Sequence, residues 1–179
     1  DELKRLEEKQ IGISRLEQVR DIFLFCCLTG LAYVDVASLS TENIVEGKRG
    51  RQWLRKARNK TNNMCNIPLL RPALRILEKY AEYRAATGRL LPVPSNQKMN
   101  AYLKELATLC GVAKNLTTHC ARHTFATTVT LANGASLENV SKMLGHSSIR
   151  MTQHYAKILN SSIERDMDKI ESELIGEDE

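Results

Sequence analysis

From Ser14 to Gly30 the apolar residues Leu16, Val19, Ile22, Phe23, Phe25 and Cys26 return at intervals of three and four, with Arg15, Glu17 and Arg20 between them. That spacing predicts a helix with one face in a core, stopped at Gly30. Ahead of it, residues 1–9 are charged around Leu3 and Leu6 and suggest a short amphipathic helix. Val34, Val36 and Leu39 predict a short helix or turn before Thr41. The pattern then shortens. Ile44–Val45, Gln52–Leu54 and Cys65–Leu69, broken by Gly47, Gly50 and Asn62–Asn63, predict about three short antiparallel strands. Pro68 suits the end or edge of such a sheet.

Helical spacing resumes with Pro72, which fits the first turn of a helix running to about Ala86 and stopped by Gly88. Leu90 to Ser95, with Pro92 and Pro94, reads as a loop, and a helix from about Gln97 to Cys110 is closed by Gly111. Thr118 is placed to cap a helix from His119 to Asn133, ended by Gly134, and Ser136 to cap a short one stopping at Gly145. A further helix carries Tyr155, and a last amphipathic helix shows an apolar stripe at Ile163, Met167, Ile170 and Leu174. The expected fold class is α+β, mostly α-helical, with one small antiparallel sheet of about three strands. The 179 residues suffice for one domain with its own core, so residues 1–179 are expected to form a single domain.

Charge changes the picture. The formal net charge is +5, and Lys48, Arg49, Arg51, Arg55, Lys56, Arg58 and Lys60 crowd one stretch, while the tail from Asp166 is mainly acidic. A basic run suits a polyanionic partner and equally suits a solvated face. No apolar run is long enough to span a bilayer. No signal-like segment opens the chain, and its first residue is not methionine, as in a fragment of a longer protein. The five cysteines, at 26, 27, 65, 110 and 120, are odd in number and lack Cys-x-x-Cys spacing. Among apolar neighbours, Cys26 and Cys27 read as small core fillers of a reduced, cytoplasmic protein.

The candidate chemistry lies in the last third: His119–Cys120–Ala121–Arg122–His123, then Leu144–Gly145–His146, then His154–Tyr155. A tyrosine hydroxyl can attack phosphorus, and an arginine can hold two phosphate oxygens with its fork of donors. Histidines can donate to the same oxygens or move the tyrosine proton. Taken singly, Arg122 reads as a surface arginine, His146 as a helix cap and Tyr155 as a core ring; together they supply what breaking and rejoining a phosphodiester requires. His119 and His123 have the spacing of a zinc pair, but Cys120 stands where the metalloprotease form needs Glu and no third ligand is evident. No metal and no cofactor are therefore expected.

The order His-x-x-Arg, Leu-Gly-His, Tyr resembles the tyrosine recombinases of the phage-integrase family, and the resemblance covers about residues 14–165. It implies the catalytic-domain fold of that family, without the amino-terminal core-binding domain. It also implies Tyr155 as nucleophile, with Arg122, His119 and His146 around the phosphate and a lysine on the strand hairpin as general acid. Arg58–Asn59–Lys60–Thr61 followed by Asn66–Ile67–Pro68–Leu69 resembles that hairpin, which makes Lys60 the candidate and Lys56 its alternative. One residue departs from the pattern: after Thr29–Gly30–Leu31 the family has arginine, and this chain has Ala32. Arg20, Arg51, Arg55 and Arg58 are the candidates to supply the lost charge. The wording from Leu28 to Val36 resembles integrases of mobile elements from the Bacteroides group, which also vary here.

The resemblance further implies double-stranded DNA as partner, a tetramer assembled on it, a bacterial cytoplasmic setting and a reaction needing neither metal nor ATP. The final helix would either dock on a neighbouring protomer or fold back on its own domain. Two other functions fit parts of the sequence. One is a non-catalytic DNA-binding module, since Ser136 to Ile158 reads like a helix-turn-helix. The other is a type IB topoisomerase, which shares the tyrosine chemistry.

Overall fold

A long helix, α2 (Ser14–Thr29), is the axis around which the chain is built in this computed structural model, which describes residues 2–157 together with 167, 168 and 170–172. Leu16, Val19, Ile22, Phe23, Phe25, Cys26 and Cys27 are buried along it, the two adjacent cysteines as apolar filler. Before it, α1 (Glu2–Glu8) sets Leu6 into the same core. After it, α3 (Tyr33–Ala37) leads through a 3₁₀ turn into the sheet.

The sheet has the expected three strands, β1 (Ile44–Glu46), β2 (Gln52–Ala57) and β3 (Met64–Pro68), antiparallel in the order β1-β2-β3. Leu54 pairs with Ile44 on one side and Ile67 on the other. Because side chains alternate across a strand, Leu54, Cys65 and Ile67 enter the core, while Arg55 and Met64 stay exposed.

Two predicted helices are interrupted. The helix expected from Pro72 to Ala86 divides at Tyr80 into α4 (Arg71–Lys79) and α5 (Ala81–Thr87). Asp21, buried on α2, accepts from Lys79 Nζ at 2.6 Å and Tyr80 Oη at 2.8 Å on one oxygen. Consecutive side chains diverge by about 100° on a continuous helix, so the break lets both reach a carboxylate that needs partners away from water. After α6 (Asn96–Leu109) comes α7 (Thr118–Thr124), whose N-cap is Thr117 rather than Thr118, its hydroxyl accepting from the Cys120 amide at 3.1 Å. The helix expected to reach Asn133 instead widens into a π-helical segment, Phe125–Thr130, and closes in a 3₁₀ turn, Leu131–Asn133. Here Thr127 donates to the His123 carbonyl, and Thr130 to those of Phe125 and Ala126, so hydroxyls take up carbonyls in the altered ladder. The domain continues with α8 (Leu137–Met143), capped by Ser136, and α9 (Arg150–Ala156).

Gly30 joins the parts. At φ +70° it ends α2, and a Cβ there would lie 2.5 Å from Phe125 Cδ1 and 2.8 Å from Leu144 Cδ2. A glycine is required for both the turn and the close approach. The π-helical segment and the end of α8 thus lie directly against the α2–α3 turn. The helix expected over Ile163–Leu174 falls mostly outside the described residues; Met167 and Ile170 are exposed. Among the described residues no helix is long and apolar enough to cross a membrane.

Candidate active site

Arg122 lies on α7 with 6% of its surface exposed. Burying a guanidinium is costly unless its donors are taken, and here the α2–α3 turn and the end of α8 take them. Nη1 donates to the Gly30 carbonyl at 2.6 Å, and Nη2 donates to the Leu144 carbonyl at 2.8 Å and to His146 Nε2 at 3.1 Å. These three bonds occupy three of the five N–H donors of the group. Burial, and after it the nearby Arg58, lowers the Arg122 pKa.

His146 begins the turn between α8 and α9. Its Nδ1 lies 2.7 Å from Thr152 Oγ1, within α9. Burial first, then the charges of Arg122 and Arg58, push the imidazole down from 6.5 to about 4, which keeps it neutral at pH 7. On α9, three residues beyond Thr152, Tyr155 is 9% exposed. Its ring lies parallel to that of His146, with centroids 6.4 Å apart and planes 6° apart. His123 meets the same ring edge-on at 5.4 Å. Spacing along the sequence offers His123 only as one half of a zinc pair; one turn of α7 beyond His119 brings it to Tyr155. His154, exposed, is edge-on to Tyr155 at 6.0 Å.

The β2–β3 hairpin closes the site from the other side. Gly145 has φ +62°, and a Cβ there would lie 2.9 Å from Arg58 Cδ and 2.8 Å from Cys65 Sγ. The glycine therefore lets the hairpin seat against the turn that carries His146. Asn63 Nδ2 donates to the Gly145 carbonyl at 3.2 Å and fastens the contact. The Arg58 side chain, 10% exposed, runs inward, with Nε 4.0 Å from the carboxylate of Asp35 and no acceptor of its own among the described residues. Asp35, 1% exposed on α3, also accepts the Asn59 amide at 2.9 Å. It is a site residue that the sequence reading passed over. Its signal was an acid inside the apolar Tyr33–Ala37 stretch, whose partner is fixed by the hairpin's path.

Of the four arginines considered for the missing charge, Arg58 alone stands beside Arg122 and His146. Arg20 donates to the Lys9 carbonyl at 2.6 Å and pairs with Asp21 at 3.6 Å, in the α1–α2 region. Arg51 and Arg55 are exposed. Lys60 is exposed on the hairpin loop two residues from Arg58, whereas Lys56 is partly buried in β2 opposite Cys65. His119 is exposed on α7 and, among the described residues, makes no hydrogen bond to Arg122, His146 or Tyr155. The structure thus brings together Arg122, His146 and Tyr155, adds Arg58 and His123, and leaves His119 and Lys60 facing solvent.

A description of the phage integrase family matches residues 3–161. The chain belongs to the phage integrase family. Among similar proteins, tyrosine recombinase XerD of Rhizobium meliloti is 32% identical over 146 residues, covering 75% of this chain and 45% of that protein. XerD of Staphylococcus saprophyticus is 42% identical over 71 residues, 40% of this chain and 24% of that protein. The chain spans less than half the length of either relative. In fold it is similar to the XerA recombinase crystal structure, with TM-score 0.70, 22% identity and coverage of 94% of this chain and 62% of that one. It is also similar to the lambda integrase catalytic core, with TM-score 0.64, 17% identity and coverage of 82% and 88%. The helical body and three-stranded sheet are those of integrase-family catalytic domains.

The half-buried His146 imidazole of this integrase-family domain gives its stability a pH dependence. Between pH 6.5 and about 4 the unfolded chain protonates His146 while the folded one does not. The unfolded state then binds more protons, so stability falls as pH drops through that window and this contribution is flat below it. Urea unfolding midpoints measured from pH 7 to 4 should fall more steeply for the parent protein than for His146→Gln.

Proposed function

We propose that this domain is the catalytic part of a site-specific DNA recombinase, an integrase that cleaves and rejoins double-stranded DNA through a 3′-phosphotyrosine. The observation that carries the proposal is the buried Arg122 bonded to His146, with the Tyr155 ring lying parallel to that imidazole. In the reaction the Tyr155 oxygen attacks a scissile phosphorus and its proton passes to solvent. The new O–P bond forms as the bond to the 5′-oxygen breaks, and Lys60, carried on the hairpin, protonates the departing 5′-oxygen. Arg122 and His146 bear the charge of the pentacovalent phosphate, and His119 is a further donor from the exposed side of α7. Arg58 supplies the second guanidinium that Ala32 lacks, from the hairpin rather than from the α2–α3 turn. The 5′-hydroxyl of a partner strand reverses the step, so bond energy is kept and neither metal nor ATP is consumed.

The proposal includes assembly as a tetramer on DNA, with the acidic carboxy-terminal segment docking on a neighbouring copy, in the bacterial cytoplasm. The Ala32 departure and the wording around it favour a mobile-element integrase of the Bacteroides type. Relatives named as tyrosine recombinases, and a XerH site-specific recombinase bound to a palindromic difH substrate among the structural neighbours, support the reading.

The test is covalent trapping. A DNA duplex bearing a cognate site, nicked so that the cleaved fragment diffuses away, should leave an adduct in the presence of EDTA, mapped by mass spectrometry to Tyr155. Retarded DNA with no adduct would identify a non-catalytic binding module. Relaxation of supercoiled DNA lacking paired sites would identify topoisomerase action instead.

A further inference from the structure

The hydrogen bonds around His146 fix which nitrogen carries its proton. A guanidinium only donates, so His146 Nε2, 3.1 Å from Arg122 Nη2, is the acceptor. In the neutral ring the proton then sits on Nδ1, which donates to Thr152 Oγ1 at 2.7 Å. Thr152 is 0% exposed, and its hydroxyl has no acceptor of its own among the described residues. The free site is therefore imperfect in two respects. Among the described residues a buried O–H lacks an acceptor, and the nitrogen facing Arg122 cannot donate to an incoming phosphate oxygen.

We propose that Thr152 is a positioning residue that lets His146 exchange tautomers when a phosphate enters, an inference that rests on the recombinase reading above. Arg122 turns its N–H from Nε2 to a phosphate oxygen. One proton leaves Nδ1 for solvent and one joins Nε2 from solvent, so the charge of the ring is unchanged. Nε2–H then donates to the phosphate, and the Thr152 hydroxyl reverses its role and donates to Nδ1. A hydroxyl can serve both arrangements without changing charge, because it holds a donor and acceptor lone pairs on one atom. The burial and neighbouring cations that disfavour an imidazolium make exchange between neutral forms the open route. Thr152 also lies three residues before Tyr155 on α9, so the same bond ties the nucleophile's helix to the phosphate-binding histidine.

Long-range ¹H–¹⁵N spectra of the His146 ring, recorded on this chain free and on its Tyr155→Phe variant bound to cognate DNA, read the tautomer directly. The expected result is a proton on Nδ1 in the free protein and on Nε2 alone in the complex. In trapping assays Thr152→Val should slow adduct formation by about tenfold or more, the scale of one hydrogen bond in a transition state. Thr152→Ser should stay within about threefold of the parent; DNA affinity should be unchanged in both, while the melting temperature of Thr152→Val should fall, because its methyl leaves the Nδ1–H of His146 without an acceptor. Two protonated nitrogens in the complex, or a Val variant as fast as the Ser variant, would overturn the inference. If Thr152→Val does not fold, the spectra of the Thr152-containing proteins decide alone. Absence of any adduct from the parent protein would instead bring down the recombinase reading, and the exchange with it.

Discussion

Tyr155→Phe is expected to give a protein that melts and binds DNA as the parent does, yet forms no covalent adduct. The change removes a single oxygen. Among the described residues that oxygen takes part in no hydrogen bond, whereas the ring keeps its parallel contact with His146 and its edge contact with His123. Loss of an unbonded hydroxyl from a residue 9% exposed leaves no buried partner unsatisfied, so the stability change should stay within about 1 kcal/mol. The chemical effect is total, because phenylalanine has no nucleophile. Adduct yield on a nicked duplex, set beside a retardation assay and a melting curve on the same preparation, separates the two effects. An adduct persisting in the variant would show that Tyr155 is not the nucleophile.

The second large effect falls on Arg58. Arg58→Met keeps methylene packing against Gly145 and removes the guanidinium. Adduct formation should fall by about a hundred- to a thousandfold, on the order of 3–4 kcal/mol of transition-state stabilisation, as for deletion of one preorganised donor to a developing anion. Arg58→Lys should recover part of that loss: the point charge returns without the planar fork. Substitution also leaves the buried Asp35 carboxylate with one charged neighbour fewer, so the melting temperature of both variants is needed alongside the rates. Matching changes to Arg51 or Arg55, which are exposed, should weaken DNA binding modestly with rising salt and leave the single-turnover rate near that of the parent. Equal rate losses at all three positions would remove Arg58 from its proposed role.

Much of the helical frame was legible in the residue pattern. The spacing from Leu16 to Cys26 identifies α2, because a helix that buries one face must repeat its apolar residues every three to four positions. The strand segments between Ile44 and Leu69 were found because Gly47, Gly50 and Asn62–Asn63 break the chain where turns demand it. The misplaced features have a common cause. Tyr80 leaves helical geometry where it and Lys79 meet Asp21, a partner 59 residues away in sequence. The π-helical stretch after Arg122 begins at Phe125, whose ring lies directly against Gly30, 95 residues earlier in the chain. Neither is written in local propensity.

The same division holds at the site. The sequence alone proposed Tyr155, Arg122, His119, His146 and Lys60 as the groups suited to phosphoryl transfer, since residue type decides what a side chain can donate, accept or attack with. It also exposed the gap at Ala32. Which arginine stands nearest to filling that gap, that His123 borders the tyrosine, that His119 faces solvent, and that His146 turns Nε2 to Arg122 and Nδ1 to Thr152 were decided by tertiary structure. Those properties depend on distances across the β2–β3 hairpin, the turn at Gly30 and the turn at Gly145. Such distances are set by the packing of elements far apart along the chain, and no single segment contains them.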